Sequence, residues 1–94
     1  MMIRARDILK ILEEYDVEYK FLPYGKFGYV APDEQKIVLN ARYDEYWQKI
    51  TLMHEILHIY YDELEIEKSE EDIDNEARNL IKKFPYLEPF IEKI

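Results

Sequence analysis

The apolar positions change period along the chain, and each change marks an element. Over residues 3–15, Ile8, Leu9, Ile11 and Leu12 recur at helical spacing among charges, which predicts a first helix. The period then shortens. Tyr19 and Phe21 fall on one side of an extended segment that Pro23 ends. Phe27, Tyr29 and Ala31 alternate in a second segment, and "KIVLN" forms a third short strand. The stretches "YGKFG" and "PDEQ" between them read as turns. Two tight connections of this kind predict an antiparallel meander.

Helical spacing returns twice. Residues 44–63 form one predicted helix, with Asp44 as N-cap. Residues 69–84 form another, with Ser69 or Glu70 near its start and Pro85 beyond its end. Its apolar stripe is Ile73, Ala77, Leu80, Ile81 and Phe84. The expected architecture is a single α+β domain over residues 1–94: an N-terminal helix, a small, mostly antiparallel three-stranded sheet, two further helices and a tail at 85–94.

The helix at 44–63 is apolar around most of its circumference, so it is expected to be packed on more than one side. Its polar residues between Ile50 and Asp62 are Thr51, His54, Glu55, His58 and Asp62. On a helical wheel they share a sector about 100° wide. A solvated stripe is usually built from Lys, Glu, Arg and Gln, yet this one holds both histidines of the chain.

Two histidines four apart with a glutamate after the first form the pattern HExxH. Residues i and i+4 lie one turn apart on one face, so His54 and His58 can bind one ion. Glu55 is rotated too far round to be a ligand. It can reach a zinc-bound water as general base, then carry the proton to a leaving amine. The chain has no cysteine, so any metal site must use His, Asp and Glu.

A catalytic zinc takes three protein ligands and an open position. Asp62 lies about 12 Å along the axis from His54, too far to share the ion. On the next helix, Glu71 and Asp72 point away from the apolar stripe. Glu70, Asp74 and Glu76 border it, and geometry alone leaves all three open.

"HEILH" followed by "DNEARN" resembles the gluzincin metallopeptidases, whose third ligand is a glutamate on a following helix in the pattern Asn-Glu-x-x-x-Asp. Asn75-Glu76-Ala77 matches the first part, which implies Glu76 as the third zinc ligand, 18 residues after His58. The pattern departs at Leu80, where the aspartate is expected. A strand before the HExxH helix is similar to both gluzincins and ImmA/IrrE-like peptidases, in which an exposed sheet edge holds the substrate. In size the chain resembles the minigluzincins. That resemblance implies a zinc-dependent endopeptidase acting on a peptide or protein substrate, latent where the C-terminal segment obstructs the cleft. The apolar tail either covers the cleft or completes a small core.

Charge and composition narrow the partners. A net charge of −8 argues against nucleic acid and anionic membrane surfaces. No apolar run reaches the roughly 18 residues of a membrane span, and no signal peptide is recognisable. A soluble, cytoplasmic protein is expected. A chain this short has little wall for specificity pockets, which self-association or a partner could supply. The rival reading is a non-catalytic zinc-binding module with a regulatory or interaction role.

Overall fold

A computed structural model describes residues 3–83. In chain order the elements are α1 (Ala5–Glu14), β1 (Asp16–Lys20), β2 (Gly28–Ala31), a single 3₁₀ turn (Pro32–Glu34), β3 (Lys36–Asn40), α2 (Glu45–Glu63) and α3 (Glu70–Lys83). The fold is α+β, as the alternation of periods predicts. No helix among the described residues is long and apolar enough to cross a membrane.

The three strands form one mixed sheet in the order β1-β3-β2. Strand β3 is central because its side chains are the most apolar of the three. Ile37, Val38 and Leu39 are all buried, as suits a strand covered on both faces. Strand β2 pairs antiparallel to β3, with Tyr29 opposite Val38. Strand β1 pairs parallel to β3, with Val17 opposite Ile37.

The meander order expected from two tight connections therefore does not form. Residues 21–35 separate β1 from β3, which exceeds the dozen or so residues that a parallel crossover needs. Strand β1 thus bypasses β2 and joins the apolar centre. Its charges Asp16, Glu18 and Lys20 suit a sheet edge.

Helix α2 is the hub. Leu52, Met53, Ile56 and Leu57 join Ile37 and Leu39 of the sheet, Ile8 and Ile11 of α1, and Ile73, Ala77 and Leu80 of α3 in one core. With neighbours on three sides, little of α2 is left uncovered besides its polar stripe. Both helix starts follow local chemistry. The Asp44 carboxylate accepts from the Trp47 N–H (3.1 Å), and Ser69 Oγ accepts from the Asp72 N–H (3.1 Å). Glu70, Glu71 and Asp72 then complement the positive end of α3.

The turn from α2 to α3 decides where α3 lies. Glu65 sits in the left-handed region at φ 56°, just after the helix cap Leu64. The Ile66 N–H donates to Tyr61 O (2.9 Å), and the Glu65 N–H donates to Asp62 O (3.1 Å). This is the Schellman pair of bonds that ends a helix and reverses the chain. The reversal brings the first turn of α3 back over the polar stripe of α2.

Candidate metal centre

His54 and His58 stand one helical turn apart on α2, both half-buried, and their Nε2 atoms face each other at 3.1 Å. Two imidazole nitrogens this close need a proton or a cation between them. Glu70, in the first turn of α3, completes the group. One of its oxygens lies 2.9 Å from His54 Nε2 and the other 3.1 Å from His58 Nε2. Among the described residues, these three side chains form a group whose donor atoms all lie within 4.8 Å of one another.

The donor set fits a divalent transition metal. Two ligands bound at about 2.0–2.1 Å and a tetrahedral angle stand about 3.3–3.4 Å apart. The observed separations need to widen by only a few tenths of an ångström. Glu70 is 75% exposed in its side chain, so the side away from α2 stays open to the cleft.

Glu55 lines the same cleft but not the ligand group. Burial pushes its carboxyl above the ordinary carboxylate range. The neighbouring His54 and His58 pull it back, and the charge of Glu70 adds to the rise. The surroundings of Glu55 therefore favour its protonated form more than water does.

Glu76, expected as third ligand from Asn75-Glu76-Ala77, is not brought to the histidines. Both of its oxygens accept from the Tyr61 hydroxyl, at 2.7 and 2.8 Å. Tyr61 is almost wholly buried, and burial followed by the Glu76 carboxylate raises its phenol pKa far above 10. The contact ties α3 to α2 at Tyr61, seven residues beyond His54. Glu70 borders the apolar stripe, as the wheel requires. What selects it is its place directly after the Ser69 cap, where the reversed chain first meets α2. Asp74 pairs instead with Arg78 (3.0 Å), and Asp62 lines the cleft without joining the group.

Gly28, His54, Glu55 and Glu70 line two adjoining cavities of about 590 Å³ each. One extends towards Tyr15, Tyr29 and Asp62, the other towards Phe27, Trp47 and Ile50. Among the described residues β2 pairs with β3 alone, so its outer edge borders this cleft. Gly28 lets β2 approach α2. A Cβ there would stand 2.5 Å from Val38 O and 2.9 Å from Thr51 Cγ2.

Asn40 is a structural residue that sequence patterns did not single out. Wholly buried, its Nδ2 donates to the carbonyls of Leu22, Pro23 and Lys26 (3.2, 3.2 and 2.6 Å). Its Oδ1 accepts from the N–H groups of Leu22 and Arg42 (3.2 and 3.0 Å). The loop that walls the second cavity is thereby pinned to the end of β3. A terminal Asn in a strand carries no signal that distinguishes this from an ordinary turn residue.

An HExxH helix, a carboxylate from the next helix at its two imidazoles and the outer edge of β2 alongside are the parts of a metallopeptidase-like domain. The profile of the IrrE N-terminal-like domain, a peptidase family, matches residues 6–83, and the chain belongs to that family. No curated protein and no solved structure gives a significant match.

Proposed function

We propose that this protein is a zinc-dependent metallopeptidase of the gluzincin type, in which His54, His58 and Glu70 hold the ion and Glu55 is the general base. The observation that carries the reading is the approach of one Glu70 carboxylate to both Nε2 atoms, at 2.9 and 3.1 Å, beside the half-buried Glu55. Family membership supports a peptide or protein as substrate. Zinc in such a site supplies a Lewis acid that makes water a nucleophile near pH 7. Glu55 takes the proton from the attacking water and passes it to the departing amine. The outer edge of β2 aligns an extended peptide by backbone hydrogen bonds.

Metal content measured together with cleavage of an unstructured protein tests this. Glu55→Gln should keep stoichiometric zinc and lose hydrolysis. Equal activity in that variant would reject Glu55 as base, and absence of zinc after chelator-free purification would reject the metal site. Retained zinc with no hydrolysis by the unaltered protein would favour the metal-binding module. Glu70→Gln should weaken zinc by tenfold or more, since even an outer partner of a ligand contributes about 10–100-fold. Glu76→Gln should leave zinc bound. The reverse pattern would return the third-ligand role to Glu76.

The latency implied by resemblance concerns residues 85–94, which lie outside the described residues. If the tail covers the cleft, removing the residues after Phe84 raises cleavage. A truncated protein that folds, binds zinc and cleaves no faster would end that idea.

A further inference from the structure

Both cavities that meet at the metal centre mix polar and apolar walls, and they differ in which elements supply them. The one beyond His58 is lined by Asp62, Glu63 and the two tyrosines Tyr15 and Tyr29. The other shares His54, Glu55 and Glu70 with it and is walled by the aromatic pair Phe27 and Trp47 with Ile50, and by Lys26, Asp74 and Arg78 on its polar side. Phe27 stacks on Trp47 with ring centres 5.5 Å apart and planes 30° from parallel. Phe27 is nevertheless 41% exposed. A large aromatic face is thus kept at the surface instead of in the core.

This wall is preformed. Asn40 pins the loop before it, and the Tyr43 hydroxyl accepts from the Gly25 N–H (2.6 Å) while its ring lies 4.5 Å from that of Phe27. On the far side the Arg78 guanidinium lies 5.5 Å from the Trp47 ring centre and is held there by Asp74 (3.0 Å). A rigid apolar wall loses little entropy when a ligand docks, which is the property of a selective pocket.

We propose that this cavity is a specificity pocket, and that its occupant is an aromatic side chain of the peptide substrate next to the bond to be cut. The proposal rests on the peptidase reading and deepens it by naming a substrate class. Continuity carries the argument: the residues at the mouth of the pocket are the candidate ligands and base. A ring inserted there stacks on the Phe27–Trp47 wall in the offset geometry that aromatic pairs favour. The edge of β2, starting at Gly28, enters the same pocket, so a peptide added to that edge places a neighbouring side chain within it.

The chain contains one tryptophan, Trp47, so its emission reports directly on the pocket. The zinc-loaded full chain with Glu55→Gln is titrated with peptides that differ only in carrying Phe, Leu or Ala at one position. The Phe peptide should change Trp47 emission saturably and bind about tenfold or more tighter than the Ala peptide, in keeping with burial of a large apolar side chain. Adding Phe27→Ala should bring that ratio close to one. Phe27→Leu keeps apolar bulk without the ring face and should remove the preference for Phe over Leu alone. Equal binding of the three peptides, no saturable change with any of them, or a preference that survives Phe27→Ala would overturn the pocket.

Cleavage sites of the unaltered enzyme in an unstructured protein, mapped by mass spectrometry, separate the two readings. Sites without aromatic enrichment would overturn the pocket and leave the peptidase standing. Aromatic-selective binding without any hydrolysis would overturn the peptidase and leave the pocket.

Discussion

Replacing Asn40 with leucine should destabilise the fold about as much as a core truncation, though no apolar contact is lost. The side chain makes five close polar contacts, from 2.6 to 3.2 Å. Nδ2 has two hydrogens and shares one of them between the carbonyls of Leu22 and Pro23, so four full bonds are at stake. At about 1 kcal/mol each, their loss costs about 4 kcal/mol. Pro23 and Lys26 are exposed, so water recovers part of this and the expected cost is about 2–4 kcal/mol. A domain of this length has a total stability of about 5–14 kcal/mol, so the variant still folds. At about 4–8 °C per kcal/mol, its melting temperature should fall by roughly 8–32 °C.

Thermal and urea unfolding followed by circular dichroism measure this directly. Asn40→Asp is the sharper comparison, because it keeps the two accepted bonds and loses the donated ones. A melting temperature within about 3 °C of the unaltered protein, corresponding to well under 1 kcal/mol, would show that the loop holds its place without this side chain. The argument for a preformed wall at Phe27 would fall with it.

Three further substitutions test separate parts of the structure. Gly28→Ala forces a Cβ to 2.5 Å from Val38 O and 2.9 Å from Thr51 Cγ2, so β2 must shift from β3 and from α2; the expected cost is about 1–3 kcal/mol or more, read from the denaturation midpoint. Glu65→Gly relieves a left-handed residue at φ 56°; strain of about 1–2 kcal/mol against about 0.5–1 kcal/mol of added chain entropy predicts a net gain, seen as a melting temperature higher by a few degrees. Tyr61→Phe strands the half-buried Glu76 carboxylate and should cost about 1.5–3 kcal/mol. The Tyr61 phenol pKa is raised in the folded state, so its contribution is full below pH 10 and fades as pH rises towards the folded value. Tyr61→Phe should therefore flatten the alkaline side of the stability profile, and an unchanged alkaline slope would show that another group controls it.

Local signals were legible wherever one residue and its immediate neighbours settle the outcome. Asp44 and Ser69 cap the helices they precede because a short polar side chain reaches an N–H two or three residues on, whatever the rest of the molecule does. The strand at Lys36–Asn40 and the polar stripe of α2 followed from periodicity. The order of strands did not, because pairing is a competition among all edges, and the apolar centre of β3 attracts β1 across the whole of residues 21–35.

The site divides along the same line. HExxH determined by itself that two imidazoles and one glutamate share a face of a helix, since 3.6 residues per turn is a property of the backbone alone. Periodicity on the next helix narrowed the third carboxylate to Glu70, Asp74 or Glu76 and could go no further, because all three border the same packed face. Tertiary structure decided which of them meets the histidines. The turn at Glu65 sets where α3 crosses α2, placing Glu70 at the imidazoles, while the buried Tyr61 hydroxyl engages Glu76. A carboxylate goes to whichever donor the crossing of two helices brings within 3 Å, and that crossing depends on the packing of both helices together.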